Sequence, residues 1–276
     1  MGDGGSRCAI GHLRTPHPGL SAARLARLRM LAILWKGDIS LKRDPDARTR
    51  DRAYAAHMRG ANLPLFDDAP PAEMREQLAP GAWVLRGFAH AHADALLREI
   101  ESIAAASPFR HLVTPGGKTM SVAMTNCGAV GWFSDRRGYR YAAIDPESGK
   151  PWPPMPERFV RLARAAASAA GFDDYAPDVC LINRYEVGAR LTLHQDQDER
   201  DRHAPIVSVS LGLSATFLFG GLVRNEPQRR VPLVHGDVVA WGGPSRMRYH
   251  GVLPIRVGDH PLTGARRYNL TFRVAR

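Results

Sequence analysis

The stretch "RYNLTFRVA" (residues 267–275) has the alternation of a β-strand with two different faces. The polar, cationic face carries Arg267, Asn269, Thr271 and Arg273, and the other face is apolar. One interpretation is an edge strand whose polar face lies in water. If that face instead points into a barrel, its guanidinium groups need an anion, because an unpaired buried charge costs on the order of several kcal/mol. A dicarboxylate would bind them through forked hydrogen bonds.

Beyond Pro177 the chain contains further strand-like segments, which are short runs rich in Val, Ile, Thr and Phe separated by glycines. The runs that read as strands are "VCLINRYEV", "PIVSVSLGL", "ATFLFGG", "RVPLVHGDVVAWGG", "MRYHGVL" and "RYNLTFRVA". Before them, "PAEMREQLAP" (71–80) predicts a short helix or turn and a strand follows at 83–85, while helices are expected over 92–107 and 156–171. The predicted class is mainly β with flanking helices (α+β), arranged as a sandwich or barrel such as a jelly roll.

The N-terminal 62 residues differ from the rest in charge. Residues 1–62 contain 12 Lys and Arg against 5 Asp and Glu, whereas residues 63–276 contain 26 against 22. The net charge of +11 favours a polyanionic partner such as nucleic acid, although most of the excess lies in this segment. Residues 21–35 have the spacing of a basic amphipathic helix and a weak similarity to a transit peptide. We expect 1–62 to be a poorly ordered basic extension, with Met58 as a candidate internal start.

The three cysteines, Cys8, Cys127 and Cys180, are far apart and form no Cys-x-x-Cys pair. Their number and spacing argue against a disulfide framework and a structural zinc site, and predict a cytoplasmic protein. The sequence has no run of 18 or more apolar residues, so no membrane association is expected.

The segment "LTLHQDQDERD" (191–201) is either a metal site or a solvated acidic turn. His194 and Asp196 are two residues apart, so both side chains point to one side of an extended chain. With a second histidine they would form the 2-His-1-carboxylate triad of non-haem iron enzymes. The candidates for that histidine are His203, His235, His250 and His260. His250 is the best placed, because its strand follows "VVAWGG" through a turn and can lie beside the strand of His194.

Ten stretches, in this order, cover most of the chain beyond Leu63: "SPFRHLVTPGGKTMSVAMTNCG", "GWFSDRRGYRY", "IDPESGKPWPPMP", "CLINRYEVGARLTLHQDQDE", "APIVSVSLGL", "FLFGGL", "HGDVVAWGG", "YHG", "HPLT" and "RYNLTFR". Together they resemble the bacterial AlkB family, the iron(II)- and 2-oxoglutarate-dependent nucleic acid demethylases. The resemblance implies a double-stranded β-helix (jelly roll) with an N-terminal nucleotide-recognition lid. It places a dioxygenase domain at 63–276, with the lid at about 110–155 and the jelly-roll core at about 177–276.

The same resemblance implies roles for individual residues. The iron ligands would be His194, Asp196 and His250. The 2-oxoglutarate site would be formed by Asn183, Tyr185, Arg267, Asn269 and Arg273; Asn183 and Tyr185 also share one face of the strand "LINRY". The substrate residues would be Trp132, which stacks on a flipped base, Tyr139 and Tyr141 of the lid, Asp198, which reads the exocyclic amine, and Arg224. Glu199 and Asp201 are left as solvated charges.

The function implied by the resemblance is oxidative demethylation of bases such as 1-methyladenine and 3-methylcytosine. Fe(2+) would be the cofactor, 2-oxoglutarate and O2 the co-substrates, and formaldehyde, succinate and CO2 the products. The expected substrate of this predicted monomer is alkylated single-stranded DNA, with double-stranded DNA and RNA as further candidates. Two alternatives remain: the same chemistry acting mainly on RNA or protein, and a non-catalytic nucleic-acid-binding module.

Overall fold

A computed structural model describes residues 74–276, so the predicted N-terminal extension and its amphipathic helix lie outside the described residues. This range forms two α-helices, α1 (Ala93–Ala106) and α2 (Glu157–Ala169). Its strands are β1 (Arg75–Ala79), β2 (Ala82–Leu85), β3 (Ala123–Gly128), β4 (Gly131–Asp135), β5 (Gly138–Ala142), β6 (Val179–Tyr185), β7 (Leu191–His194), β8 (Ile206–Gly212), β9 (Ala215–Phe219), β10 (Arg229–Leu233), β11 (Val238–Trp241), β12 (His250–Val252) and β13 (Arg267–Arg273). Neither helix has the length and apolar character needed to span a membrane.

The strands form a major and a minor antiparallel sheet. The major sheet has the order β1-β2-β11-β8-β13-β6-β3, and the minor sheet has the order β10-β9-β12-β7. Both helices pack on the outer face of the major sheet, and a second apolar core lies between the two sheets. The prediction of a mainly β jelly roll with flanking helices is confirmed.

Strand β13 lies near the centre of the major sheet, between β8 and β6. Its apolar residues Leu270 and Phe272 pack under the helices, and the ring of Phe272 meets that of Phe159 from α2 at 5.9 Å. The opposite, polar face of the strand is buried, since Arg267 is 1% exposed and Arg273 is 6% exposed. The interpretation of an edge strand in water is therefore wrong, and the polar face points into the molecule.

Within the segment predicted as a short helix or turn, Arg75–Ala79 form the edge strand β1 and a turn follows at Pro80 and Gly81, while residues 71–73 lie outside the described residues. Ala79 pairs with Ala82 across a two-residue loop, in which Gly81 has a φ of +72° that favours glycine. The residues of this segment form helices readily, but pairing with the buried strand β2 prevails over local propensity. The prediction of a strand at 83–85 is confirmed by β2.

Strands β3, β4 and β5 arise from a segment in which the sequence did not predict individual strands. β3 extends the major sheet at its edge, whereas β4 and β5 pair only with each other. This hairpin falls within the predicted lid at about 110–155. The division into lid and jelly-roll core remains a prediction, and β1, β2 and β3 add to the major sheet from outside residues 177–276.

Candidate active site

Three predicted metal ligands converge where strands β7 and β12 meet. His194 ends β7, His250 begins β12, and the two residues are register partners. The ligand atoms of His194, Asp196 and His250 all lie within 4.8 Å of one another. The Nδ1 atoms of His194 and His250 lie 2.8 Å and 3.0 Å from the carbonyl oxygens of Thr192 and Arg248. Donation from each Nδ1 leaves the Nε2 lone pair free for a metal, the usual arrangement of a ligating histidine.

The protonation states of Asp196 and His250 suit metal binding. Burial alone would raise the pKa of Asp196, but Arg273, His250 and His194 together lower it below its ordinary value. Burial, followed by the nearby His194, lowers the pKa of His250 to about 4. An ionised carboxylate and a neutral imidazole are the forms that coordinate a metal ion. The triad therefore requires no net proton release from these two groups near neutral pH.

The other histidine candidates lie away from the triad. His203 is exposed, as expected for its charged loop. The rings of His235 and His260 stack at 4.4 Å, and the Nδ1 of His235 accepts a hydrogen bond from the backbone N–H of Gly212. Between residues 74 and 276, the group formed by His194, Asp196 and His250 is the one cluster with metal-ligand spacing.

Arg273 lies next to the triad and is fully paired. Its Nε and Nη2 donate to the Oδ2 of Asp196 at 2.9 Å and 2.7 Å, and its Nε lies 3.3 Å from the Oε1 of Glu199. These contacts raise the pKa of Arg273 even though its burial opposes the charge. A ligating carboxylate that is itself hydrogen-bonded keeps one oxygen oriented toward the metal.

Arg267, at the other end of β13, has a different environment. Its Nη2 donates to the Oγ of Ser210 at 2.9 Å, and its guanidinium lies 5.0 Å from the centre of the Tyr185 ring. Its Nε and Nη1 have no hydrogen-bond partner among residues 74–276, and burial lowers the pKa of the group. A buried guanidinium in this state calls for an anion, because leaving it unpaired is costly.

Neutral polar groups separate the two arginines. Asn183 and Asn269 are register partners on β6 and β13, and Asn183 donates to the Oδ1 of Asn269 at 3.3 Å. Asn269 is held in turn by Ser208 and by the carbonyl of Val209, and the Oδ1 of Asn183 has no partner among the described residues. These groups and the triad line one cavity of about 830 Å³. A dicarboxylate that reaches from the metal site toward Arg267 fits this donor set.

Most of the predicted substrate residues line the same cavity. The rings of Trp132 on β4 and Tyr139 on β5 stack at 5.6 Å, and the indole Nε1 of Trp132 donates to the Oδ2 of Asp198 at 2.8 Å. Arg224 is exposed, and its guanidinium lies 5.7 Å from the ring centre of Tyr249. The structure thus brings an aromatic pair, a carboxylate and a cation to the rim of the metal cavity.

Tyr141 is the exception among the predicted substrate residues. It is absent from the lining of the cavity, and its hydroxyl donates to the Oε1 of Glu199 at 2.6 Å. Arg273 also donates to this hydroxyl at 3.4 Å. Burial first, and then the nearby carboxylate of Glu199, raise the pKa of Tyr141 despite the opposing effect of Arg273. Tyr141 therefore links the β4–β5 hairpin to the charged groups behind the triad.

The prediction that Glu199 is solvated is wrong. Glu199 is 4% exposed, and Arg246 donates to its Oε2 at 3.0 Å, whereas Asp201 stays partly exposed as expected of a solvated charge. Arg246 also donates to the backbone carbonyls of Asp196 and Ala204, and so holds the loop after the metal ligands. Sequence reasoning missed both residues, because no spacing signal shows which carboxylate of a charge run meets a distant guanidinium.

A histidine–aspartate–histidine triad, a buried cationic pocket and a two-sheet fold define an oxygenase that uses iron(II) and a 2-oxo dicarboxylate. Residues 81–273 match the model of the 2OG-Fe(II) oxygenase superfamily. The chain is 60% identical over 213 residues to the alpha-ketoglutarate-dependent dioxygenase AlkB of Escherichia coli, covering 77% of this chain and 98% of that protein.

Two ALKBH1 proteins extend the comparison. The human nucleic acid dioxygenase ALKBH1 is 35% identical over 99 residues, which are 36% of this chain and 25% of that protein. The solved structure of OsALKBH1 superposes with a TM-score of 0.65 at 30% identity, covering 72% of this chain and 99% of that one. The chain therefore belongs to the AlkB family of alpha-ketoglutarate-dependent dioxygenases. This family uses Fe(2+), 2-oxoglutarate (alpha-ketoglutarate) and O2, and the donor groups of the cavity fit the metal and the co-substrate.

Proposed function

We propose that this chain removes N-linked methyl groups from nucleic-acid bases such as 1-methyladenine and 3-methylcytosine by oxidative demethylation. The observation that carries the proposal is one cavity lined by the metal triad, by the Trp132–Tyr139 pair and by Arg267, whose Nε and Nη1 lack a hydrogen-bond partner among residues 74–276. The 60% identity to an AlkB dioxygenase supports the reaction type, and the human relative named a nucleic acid dioxygenase supports the substrate class.

In this proposal His194, Asp196 and His250 hold the iron. When bound, iron(II) would supply, with 2-oxoglutarate and O2, the oxidising chemistry that hydroxylates an N-methyl group, and the 2-oxoglutarate would be converted to succinate and CO2. The hydroxymethyl product then loses formaldehyde as its carbon–nitrogen bond breaks, and this restores the base. Arg273 keeps Asp196 ionised and oriented, and Arg267 binds a carboxylate of the co-substrate through its free N–H groups.

Substrate selection is assigned to the rim of the cavity. A flipped base would stack on Trp132, whose partner ring, Tyr139, is 47% exposed and free to contact a neighbouring nucleotide. Methylation at adenine N1 or cytosine N3 gives the base a positive charge. The carboxylate of Asp198 favours such a base, and can accept a hydrogen bond from its exocyclic amine. Arg224, on the same rim, is suited to a phosphate or a base edge.

We further propose a preference for single-stranded nucleic acid. The methyl group lies on the Watson–Crick edge, so a base in a duplex must first be extruded at a cost of a few kcal/mol. Residues 63–276 hold only 26 basic against 22 acidic residues, which suits short contacts to one strand rather than extensive duplex wrapping. Action as a monomer and a cytoplasmic location remain predictions.

The test is formaldehyde release from matched oligonucleotides that carry 1-methyladenine in single-stranded DNA, double-stranded DNA and RNA, with a methylated peptide alongside. Release that is fastest from single-stranded DNA and requires iron(II) and 2-oxoglutarate supports the proposal. We expect His194→Ala to abolish release, and His203→Ala, which changes an exposed histidine of the neighbouring loop, to retain it. Full release by His194→Ala would contradict the proposal, and oligonucleotide binding without any release by the iron-loaded protein would favour a non-catalytic module.

A further inference from the structure

Asn126 fixes the backbone of Trp132 through both polar atoms of its side chain. Its Oδ1 accepts from the backbone N–H of Trp132 at 3.0 Å, and its Nδ2 donates to the backbone carbonyl of Trp132 at 3.0 Å. Asn126 lies on β3, is 2% exposed, and does not line the cavity. The amide of Asn126 is therefore buried, and it holds the backbone of Trp132, a residue that lines the cavity.

This anchor matters because the β4–β5 hairpin has no strand partner in either large sheet. Its position depends on side-chain contacts. At its ends, the Oγ of Ser134 donates to the carbonyl of Val113 at 2.7 Å, and the Nε1 of Trp152 donates to the carbonyl of Ala142 at 2.9 Å. The contacts of Ser134 and Trp152 hold other parts of the hairpin, whereas the two hydrogen bonds from Asn126 hold the backbone of Trp132 itself.

The position of the Trp132 backbone determines where its indole lies, because side chains occupy a few rotamers relative to the backbone. In this position the indole stacks on Tyr139 and donates to Asp198. Both contacts involve predicted substrate residues. A shift of about 1 Å in such a supporting residue is enough to impair the geometry of a site.

We propose that Asn126 is a positioning residue of the substrate site, which sets the stacking plane of Trp132 without touching the base, the metal or the co-substrate. This inference rests on the role of Trp132 in the proposed function. A purely structural role for Asn126, in which it only satisfies buried polar groups, is the competing explanation. The two differ in one respect: only a positioning role ties Asn126 to substrate affinity.

Thr125 offers a matched control on the same strand. It is also 2% exposed, and its hydroxyl bonds to the carbonyl and the Oγ of Ser107, on the other side of β3 from Trp132. Asn126→Leu and Thr125→Val each remove a pair of buried hydrogen bonds with little change in size. Both are expected to lower the unfolding temperature, so stability alone does not separate the two explanations.

The experiment measures the KM and kcat for a single-stranded oligonucleotide carrying 1-methyladenine, together with the affinity of the iron-loaded protein for 2-oxoglutarate. We expect Asn126→Leu to raise the KM for the oligonucleotide about tenfold and to change 2-oxoglutarate affinity less than about twofold. Thr125→Val should leave the KM within about twofold of wild type. Equal KM values for the two variants would overturn the inference.

A double-mutant cycle tests whether Asn126 acts through Trp132. In the background of Trp132→Ala, Asn126→Leu should change the KM by no more than about twofold, and a fully additive effect would overturn the inference. If Asn126→Leu does not fold, Asn126→Asp replaces it, since this variant keeps the acceptor for the Trp132 N–H and puts a carboxylate oxygen in place of the donor to the Trp132 carbonyl. Absence of formaldehyde release by wild type would reject the proposed function, whereas an active wild type with an unaffected Asn126 variant rejects only this inference.

Discussion

Arg267 and Arg273 lie on the same face of strand β13, and both are buried, but they have opposite surroundings. Arg273 donates twice to Asp196 and lies next to Glu199. Arg267 donates to Ser210, and its Nε and Nη1 nitrogens have no hydrogen-bond partner among residues 74–276. Two residues that look equivalent in sequence therefore have different surroundings, and we expect different tasks for them: support of the Asp196 carboxylate for Arg273, and binding of an anion for Arg267.

The two arginines stand at opposite ends of strand β13, and six residues of strand span about 20 Å. The metal triad lies at the Arg273 end, with Asn183 and Asn269 between the two arginines.

The largest effect on stability is expected from Arg273→Met. This change leaves the buried carboxylate of Asp196 without its guanidinium partner, and breaking a buried ion pair costs about 3–5 kcal/mol in the free energy of unfolding. Urea unfolding of the metal-free protein measures the loss. Lys118→Met, at an exposed position of the loop before β3, is the control and should change stability by less than about 0.5 kcal/mol. An Arg273→Met protein as stable as wild type would contradict the view that Arg273, unlike Arg267, stabilises the fold through its ion pair with Asp196.

Arg267→Met should act in the opposite sense on stability and strongly on co-substrate binding. Removal of an incompletely paired buried charge should leave the metal-free protein as stable as wild type or more stable. Loss of charge-assisted hydrogen bonds of about 1.5–3 kcal/mol should weaken 2-oxoglutarate binding roughly 10- to 150-fold.

Titration of the iron-loaded proteins without oxygen measures this affinity, and 2-oxopentanoate, which lacks the distal carboxylate, is the matched ligand. Wild type should strongly prefer 2-oxoglutarate, and the Arg267→Met protein should lose that preference. If the Arg267→Met protein still prefers 2-oxoglutarate to 2-oxopentanoate as strongly as wild type does, another residue binds the distal carboxylate.

Tyr141→Phe tests the link between the hairpin and the Arg273 cluster. The change removes one hydroxyl that donates to Glu199. The Glu199 carboxylate still has its contacts with Arg246 and Arg273. We expect a loss of about 1–2 kcal/mol in the free energy of unfolding. Tyr139→Phe is the control at an exposed ring and should have almost no effect on stability. Equal stabilities of the two variants would show that the hydrogen bond from the Tyr141 hydroxyl to Glu199 does not contribute to the free energy of unfolding.

The smallest effect is a pH dependence near the Arg267 end of β13. Gly212, a register partner of Arg267, donates its N–H to the neutral ring of His235. Burial, followed by the neighbouring His260 and His90, lowers the pKa of His235, and Asp94 opposes this effect. The unfolded chain therefore binds more protons than the folded one as pH falls through the ordinary histidine value of about 6.5, so stability decreases below that pH.

His235→Gln isolates this contribution, because its amide oxygen can still accept from the Gly212 N–H but does not titrate. The difference in unfolding free energy between about pH 7.5 and pH 5.5 should shrink by about a few tenths of a kcal/mol, since solvent screens the partly exposed ring. A larger pH dependence in His235→Gln would mean that folding raises the pKa of His235 instead of lowering it.

The sequence predicted the polar face of β13 and the His194–Asp196 pair because both follow from the two-residue period of a strand. It favoured His250 on position, and the register between β7 and β12 brings that histidine to the pair. The same period does not distinguish Arg267 from Arg273, since their partners Ser210 and Asp196 come from other elements.

The errors have a related cause. Charge runs are usually exposed, which predicts Glu199 in solvent, but it is buried against Arg246 and Tyr141, which are far away in sequence. The sequence before β2 predicts a short helix or turn, yet a two-residue loop lets Arg75–Ala79 pair with β2 as a strand. In both cases contacts between residues far apart in sequence decide the structure, and the local sequence pattern does not predict such contacts.

The most direct test of the proposed demethylation is the ratio of succinate to formaldehyde released from a single-stranded oligonucleotide carrying 1-methyladenine. The two products should appear in equal amounts, only when iron(II), 2-oxoglutarate and O2 are all present, and the methylated base should disappear at the same rate. Formaldehyde without succinate would contradict the assigned co-substrate, and succinate without formaldehyde from this oligonucleotide would contradict the assigned substrate.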